Sequence, residues 1–148
     1  MLDRKICFIG FGNTIRSDDC LGPYIISQLE QRLGGYDNFT FMTQHQLDPA
    51  LAPLLAGYDE VIFIDASVNI DEEVIFEKVE PARTTTFSTH VVTPEQLLHL
   101  SSSLYGKAPV CRLLQVRGYE FGFGEYPSQK GKEAAARAVD TILAYIGA

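Results

Sequence analysis

Two aspartates and one histidine, far apart along the chain, are the residues whose types best fit a shared chemical task. Asp19 ends an Asp18-Asp19 pair that follows a glycine-rich segment. Asp65 follows an apolar run, and His90 lies in a Ser/Thr-rich segment. Two carboxylates and one imidazole make a mixed oxygen and nitrogen site that suits a borderline metal ion with open coordination positions. Because carboxylates also act as general acids or bases, Asp19 and Asp65 are catalytic candidates, and Asp18 is a secondary one.

Each candidate also has a structural explanation, and the sequence leaves both explanations open. Asp18 stands where an N-cap of the following helix is expected, and Asp65 stands where strand-end backbone amides would bind a carboxylate. A charge left unpaired at Asp65 would be costly beside a buried strand, so this side chain must have a partner. A single histidine such as His90 is more often a structural residue than a ligand. A metal site is the better explanation only if Asp19, Asp65 and His90 meet.

The elements that must position these residues alternate between strand and helix. Strands are predicted at Lys5–Gly10, Phe39–Thr43, Val61–Asp65, Val74–Val79 and Cys111–Val116, and helices at Cys20–Leu33, Asp48–Ala56, Thr93–Leu104 and Ser128–Ile146. Thr93 and Asp48 are expected to cap their helices, each with a proline at the first helical position. This order predicts an α/β fold, a three-layer αβα sandwich with a mainly parallel sheet of about five strands, of the phosphorylase/hydrolase-like type. A length of 148 residues fits one domain, residues 1–148.

The predicted topology brings the candidates to one edge of the sheet. In open α/β sheets, ligands bind outside the carboxyl ends of the strands. Asp19 follows the first predicted strand, Asp65 ends the third, and His90 lies in the loop after the fourth. We therefore expect three separate loops to deliver these side chains to the same rim.

Two other chemistries fit the sequence poorly. Gly10-x-Gly12 after a strand suggests dinucleotide binding, but that motif needs a third glycine where this chain has Ile15. The acidic pair after it would also repel a pyrophosphate. There is no G-x-S-x-G nucleophile motif. Cys20 stands beside Asp19, whose charge disfavours a thiolate, so Cys20 is expected to be a small packing residue.

Composition excludes several classes of partner. The 12 Lys and Arg against 19 Asp and Glu give a net charge of −7, which argues against nucleic acid and against anionic membrane surfaces. No apolar run is long enough for a transmembrane helix or fits a signal peptide. Cys7, Cys20 and Cys111 are widely spaced and are expected to be reduced thiols in a cytoplasmic protein.

The ordered set of motifs resembles the hydrogenase maturation endopeptidases. The resemblance rests on the segment GFGNTIRSDDCLG, then Asp65-Ala66, then Ser88-Thr89-His90. Its loop residues are Gly10, Gly12, Asn13 and Gly22, next to the acidic pair Asp18-Asp19. Members of this family cleave a C-terminal extension from the large-subunit precursor of nickel–iron hydrogenases after nickel insertion. The resemblance implies that the precursor is the partner, that Asp19, Asp65 and His90 contact the metal, and that the nickel comes with the substrate, with none bound in the resting protein.

Two departures from the family pattern bear on specificity. Cys20 stands where the family often has glycine or another small residue. A glycine-rich segment of many members is replaced here by HQLDPALAPLL. This segment is similar to the one in proteases that serve bidirectional, NAD(P)-linked hydrogenases, which implies substrate contacts by His45, Gln46 and Leu47.

Three hypotheses of function follow from the resemblance. In the first, nickel in the precursor docks at the site and an endopeptidase of aspartic or metal-dependent type cleaves the chain. Water attack is then assisted by a carboxylate or by the metal, and the sequence leaves both open. The second is a metal-sensing chaperone without cleavage, and the third is a peptidase of the same fold with another substrate. The loop Tyr119–Pro127, with Phe121, Phe123 and Tyr126, is expected to fold back on the core rather than form an exposed peptide-binding patch.

Overall fold

A computed structural model of the chain describes residues 3–83 and 92–148. The strands are β1 (Ile6–Phe11), β2 (Phe39–Gln44), β3 (Glu60–Ser67), β4 (Val74–Lys78) and β5 (Val110–Arg117). The α-helices are α1 (Leu21–Leu33), α2 (Ala52–Leu55), α3 (Pro94–Tyr105) and α4 (Gln129–Ile146). Short 3₁₀ turns at Ser17–Cys20 and Pro49–Leu51 lead into α1 and α2. Within the described ranges, no helix is long and apolar enough to cross a membrane.

The strands form one sheet in the order β2-β1-β3-β5-β4. The pairs β1–β2, β1–β3 and β3–β5 are parallel, and β4 is an antiparallel edge strand on β5. The chain passes from β1 outward to β2 and then crosses back to β3 on the other side of β1. The carboxyl ends of β1 and β3 therefore flank a topological switch point, where ligand sites form in folds of this kind.

Two hydrophobic cores cover the two faces of the sheet, and the alternation of side chains along β1 shows how. Ile6 and Phe8 pack in the core shared with α1 and α4, whereas Cys7 and Ile9 pack in the core shared with α2 and α3. All four side chains are fully buried. A strand buried on both faces must be apolar at successive positions, as β1 is. The helices on both faces of the sheet confirm the predicted three-layer α/β sandwich.

Local signals define the helix starts as the sequence predicts. Thr93 Oγ1 accepts the Gln96 N–H at 3.2 Å, and Gln96 Oε1 accepts the Thr93 N–H at 2.9 Å, which is a complete capping box before α3. Asp48 caps the 3₁₀ turn before α2 by accepting the Ala50 N–H at 2.7 Å. The predicted helix over Asp48–Ala56 is divided into this turn and a single short α-helix.

The strand that carries Asp65 is longer than its sequence pattern predicts. The apolar run ends at Ile64, but parallel pairing with β5 continues through Asp65–Gln115, Ala66–Val116 and Ser67–Arg117. Asp65 therefore lies two residues before the end of β3, whereas the sequence pattern predicts it as the last residue of the strand. Its backbone is fixed by the sheet, which gives its side chain a well-defined position.

Glu60 forms a buried ionic cluster at the opposite end of the same strand. Its side chain has no exposed surface, and its Oε1 lies 2.6 Å from an Arg4 guanidinium nitrogen. Its Oε2 accepts the Tyr145 hydroxyl at 2.7 Å and lies 3.3 Å from Arg112 Nε. Buried charges of this kind require partners, and each carboxylate oxygen of Glu60 has at least one.

Candidate active site

Asp19 is held at the carboxyl end of β1 by the glycine-rich segment before it. The Asn13 N–H donates to Asp19 Oδ2 at 3.0 Å. Gly12 has a φ of 149°, and a Cβ added there would overlap the backbone carbonyl oxygen of Asp19. A side chain at position 12 would therefore push the Asp19 turn away from the strand.

Close packing of α1 on the sheet brings this turn beside β3. A Cβ added to Gly22 would lie 2.6 Å from Phe11 O and 2.7 Å from Ile64 O, and one added to Gly10 would overlap the backbone of Gly22. These two glycines let the start of α1 lie directly over the ends of β1 and β3. Asp19 thereby reaches the neighbourhood of Asp65.

Asp65 is half-buried, and its carboxyl group has an unusual proton affinity. Burial raises its pKa most, the nearby charge of Asp19 raises it further, and the Ala66 N–H offsets part of the rise, so that the pKa is about 7. A carboxyl group with this pKa can accept and return a proton near neutral pH. Perturbation by burial plus a specific charge partner is typical of functional clefts.

Asp19 and Asp65 line one small cavity. It has a volume of about 160 Å³ and is lined by Phe11, Gly12, Asp19, His45, Gln46, Leu47, Asp65 and Val92. A second cavity of about 220 Å³ shares Gly12 and His45 with it and extends past Thr14, Pro23, Thr43 and Gln44. Together the two cavities form a cleft across the carboxyl ends of β1 and β2.

The three residues expected to bind substrate differ in their exposure. His45 and Gln46 are exposed at the wall of the cleft. Leu47 is only 4% exposed and packs in the core formed with α2 and α3. Leu47 therefore contributes the apolar floor of the cavity, and the polar contacts available to a peptide come from His45 and Gln46.

The third residue of the predicted metal site, His90, lies outside the described residues, together with Ser88 and Thr89. Within 3–83 and 92–148, no group of three His, Cys, Asp or Glu side chains is placed to hold a metal ion. The structure thus brings together two of the three predicted ligands, Asp19 and Asp65. Val92, the second residue after His90, lines their cavity.

Asp18 faces away from this cavity and is fully buried. Its carboxylate accepts the Ser128 N–H at 2.6 Å and the Ser128 hydroxyl at 2.7 Å. It also accepts the Tyr119 N–H at 2.7 Å and the Glu120 N–H at 3.1 Å. Burial alone would raise the pKa of Asp18, but the bonds from Ser128, Tyr119 and Glu120 outweigh it and lower the pKa. Asp18 is not the N-cap residue of either element. Arg16 is the N-cap residue of the 3₁₀ turn at Ser17–Cys20, and Cys20 is the N-cap residue of α1.

The segment 118–128, which Asp18 binds, also pairs with the backbone that leads to Asp19. The Ser17 N–H donates to Gly124 O at 2.8 Å, and the Gly124 N–H donates to Ile15 O at 3.0 Å. The Asp18 N–H donates to Glu120 O at 2.8 Å. This second support of the site was not predicted from the sequence. The cluster of glycines in the segment was a signal that its backbone approaches another chain segment closely.

The expectation that this loop folds back on the core is wrong for Phe123 and Tyr126, two of the three aromatic residues for which it was made. Phe121 is half-buried, and its ring lies against Gly118. Phe123 is 94% exposed and Tyr126 is 74% exposed. The loop backbone is paired with residues 15–17, which fixes the positions from which these side chains extend.

The cysteines have no catalytic geometry. Cys20 is 5% exposed, as expected of a packing residue. Burial, followed by the charge of Asp18, raises the pKa of Cys20, so it is a neutral thiol. Burial also raises the pKa of Cys7 and of Cys111 to about 12. All three are free thiols, in agreement with the expectation from their spacing.

Comparison with known proteins gives likeness in structure alone. No protein-family model matches the sequence, and no curated protein sequence does. The structure is similar to a NiFe hydrogenase maturation protease, HycI, from Thermococcus kodakarensis, with 24% identity over 94% of this chain and 90% of that chain and a TM-score of 0.72. A hydrogenase 2 maturation peptidase from a Thaumarchaeota archaeon is 20% identical over 97% and 99% of the two chains, with a TM-score of 0.72. The hydrogenase maturating endopeptidase HybD from E. coli is 20% identical over 96% and 91%, with a TM-score of 0.71. This chain therefore has the fold of the solved hydrogenase maturation proteases, along nearly its whole length.

Proposed function

We propose that this protein is an endopeptidase that removes the C-terminal extension of a nickel–iron hydrogenase large-subunit precursor after nickel insertion. One observation carries the proposal: Asp19 and Asp65 line the same cavity at the switch point of the sheet. The fold is shared with solved structures that are named as proteases of this kind. The motif resemblance rests on short segments, and the fold comparison extends the likeness to nearly the whole chain.

Recognition of nickel in the precursor is assigned to Asp19, Asp65 and His90. Carboxylate oxygens and imidazole nitrogen are suitable ligands for a borderline divalent ion. Support for His90 comes from its neighbour Val92, which lines the cavity. The nickel is cargo of the substrate, and this protein supplies ligands that complete its coordination.

Cleavage is assigned to Asp65, because its carboxyl group lines the cavity beside Asp19 and can transfer a proton to and from the substrate. In this mechanism, Asp65 takes a proton from the attacking water and returns it to the leaving amide nitrogen. The nickel of the precursor can polarise the scissile carbonyl in the same step. Asp18 has no part in proton transfer here, because its buried carboxylate is fully bonded to Ser128 and to the backbone of the 118–128 segment.

The cleft beside the two aspartates is assigned to the C-terminal extension of the precursor. His45 and Gln46 stand exposed at its wall and provide hydrogen-bonding groups for the peptide. Their segment differs from that of many family members, so we assign it the choice of the cognate large subunit. By the same resemblance, this subunit is one of a bidirectional, NAD(P)-linked hydrogenase, and the reaction takes place in the cytoplasm.

The proposal is tested by mass spectrometry of a large-subunit precursor after incubation with the purified protein. Nickel-loaded precursor is expected to lose a C-terminal peptide, and nickel-free precursor is expected to stay intact. Stable binding with no change in mass would instead identify a metal-sensing chaperone. Equal cleavage of the two forms would refute nickel sensing while leaving the peptidase assignment in place. If the loaded precursor is neither bound nor cleaved, both functions are refuted.

A further inference from the structure

The strand β2 forms one edge of the sheet and presents free backbone groups on its outer side. The Gly12 N–H donates to Gln44 O at 3.1 Å, so the backbone groups of Gln44 face β1. Backbone groups alternate in direction along a strand, so the N–H and C=O groups of Phe41 and Thr43 face outward. Within residues 3–83 and 92–148, no hydrogen bond to another segment satisfies these four groups.

This edge lacks the features that protect sheet edges from pairing. The sequence of β2, FTFMTQ, contains no charged residue and no proline. The edge strand on the opposite side, β4, ends in Glu77 and Lys78, and charges of this kind discourage a further strand from pairing. Alternating backbone donors and acceptors along an uncharged strand complement one class of ligand, which is another extended polypeptide backbone. Addition of a peptide strand to an open sheet edge is a common mode of peptide recognition.

The open edge leads directly into the cleft of the candidate active site. Thr43 and Gln44, the last two residues of β2, line the cavity of about 220 Å³, and so does His45, which follows them. His45 also lines the cavity that contains Asp19 and Asp65. A polypeptide paired with the end of β2 therefore lies against the wall of this cleft.

The order of the strands sets the distance between the open edge and the candidate reaction centre. A strand added to β2 would be separated from β3, which carries Asp65, by β2 and β1. Three strand spacings of about 4.8 Å make about 14 Å, which about four extended residues span. A substrate cleaved at Asp65 therefore reaches the open edge about four residues away from its scissile bond.

We propose that the C-terminal extension of the large-subunit precursor pairs with the outer edge of β2 as an added strand and crosses the cleft to the scissile bond. This inference rests on the proposed function and gives its substrate a binding mode. The contacts to Phe41 and Thr43 are made by backbone groups, so they hold the extension whatever its sequence. Binding energy from this remote pairing positions the scissile bond without taking part in the chemical step.

The pairing is tested with nickel-loaded precursors in which each residue of the extension is replaced in turn by proline. Proline removes one backbone N–H and is still compatible with an extended edge strand. The carbonyl oxygens of Phe41 and Thr43 accept one N–H each, so two positions, separated by one residue, are expected to be sensitive. KM is expected to rise about fivefold at each of them and to stay unchanged at the position between them. Both are expected about four or more residues after the scissile bond.

A variant of the protein removes a donor from the edge itself. Thr43→Pro lacks one outward N–H and is expected to raise KM about fivefold. Lys78→Pro is the matched control, because the Val79 N–H donates to Cys111 O, which leaves the Lys78 N–H facing outward on the edge of β4. The control is expected to keep the wild-type KM, and thermal midpoints of the three proteins report whether the fold is kept. The proline scan of the substrate leaves this protein unchanged, so it decides the question even if Thr43→Pro unfolds.

Three outcomes count against the proposal in different ways. Cleavage with an unchanged KM along the whole scan, or with an equal rise at adjacent positions, would overturn the strand pairing and leave the proposed function standing. If the wild type does not cleave the unaltered nickel-loaded precursor, the function is refuted and this inference with it. A dimer of this chain that dissociates on Thr43→Pro, measured by sedimentation, would assign the edge to a second copy and would also overturn the proposal.

Discussion

The carboxyl groups of Asp19 and Asp65 lie in one cavity, and the charge of Asp19 adds to burial in raising the pKa of Asp65 to about 7. Two carboxylates that repel each other are poorly stabilised by the protein alone. A divalent cation between them would remove this repulsion, and so would a proton on Asp65. The same geometry therefore suits both of the tasks proposed for the pair, which are metal recognition and proton transfer.

The first prediction concerns the cost of the Asp65 charge to folding. Its folded-state pKa of about 7 lies above the value of 3.8 expected without the fold. Below about pH 4 both states hold the proton, between about pH 4 and 7 the unfolded chain releases it first, and above pH 7 the full penalty applies. Asp65→Asn is therefore expected to raise the thermal midpoint at pH 8 by at least about 2 °C and to change it little at pH 4. Calorimetry at the two pH values measures this, with Asp140→Asn on the exposed face of α4 as the control. A gain of the same size at both pH values would contradict the pKa assignment.

Asp18 is predicted to stabilise the fold in the opposite pH direction. Its pKa is lowered in the folded state, so its contribution is present above the unfolded value and is lost as the pH falls through the folded value. Asp18→Asn places an NH₂ group among donors from Ser128, Tyr119 and Glu120, and about 3 kcal/mol of unfolding free energy is expected to be lost at pH 7. Urea denaturation measures the loss, which should shrink as the pH is lowered below about 4. Asp19→Asn, which disturbs the hydrogen bond from the Asn13 N–H, is the adjacent control with a smaller expected loss.

Gly12 is predicted to be intolerant of any side chain. Gly12→Ala meets a strained backbone at φ 149° and an overlap with Asp19 O, so we expect a loss of about 1–3 kcal/mol in stability and a displaced Asp19. Gly35→Ala is the control, because a Cβ there has no neighbour within 4 Å. Thermal unfolding and cleavage rate are measured for both variants. Full activity and stability in Gly12→Ala would show that the turn is not set by this contact.

The ionic cluster at Glu60 is predicted to support stability and not catalysis. Glu60→Gln leaves Arg4, Arg112 and Tyr145 around a neutral group at a fully buried position. Breaking a buried charge pair costs about 3–5 kcal/mol, so the unfolding midpoint is expected to fall markedly. The cleavage rate measured well below that midpoint is expected to stay at the wild-type value, because the cluster lies at the end of β3 opposite to Asp65. A lower kcat at that temperature would show that Glu60 affects the chemistry at Asp65 and would contradict this prediction.

The sequence predicts the elements of this fold well where the signals are local. The capping box at Thr93 and Gln96 depends on residues three apart, and the apolar run before Asp65 reports burial directly. The meeting of Asp19 with Asp65 was predictable from strand topology, since parallel strands bring their carboxyl ends to one edge of the sheet.

Contacts between distant segments were not predictable in the same way. Asp18 bonds to Ser128, which is more than a hundred residues later in the chain, and no local pattern pairs them. The exposure of Phe123 follows from that pairing, because the loop backbone is fixed by residues 15–17. The extension of β3 beyond Asp65 follows from its pairing with β5, which the hydrophobic pattern of β3 alone does not predict.

The most direct test of the account is the initial rate of cleavage of nickel-loaded precursor by Asp19→Asn and Asp65→Asn, with Asp140→Asn as the control. Loss of a nickel ligand at Asp19, or of the ligand and proton-transfer group at Asp65, is expected to slow the reaction at least about a hundredfold. The control is expected to match the wild type. A near wild-type rate in either of the two site variants, with the fold intact, would contradict the assignment of this pair as the reaction centre.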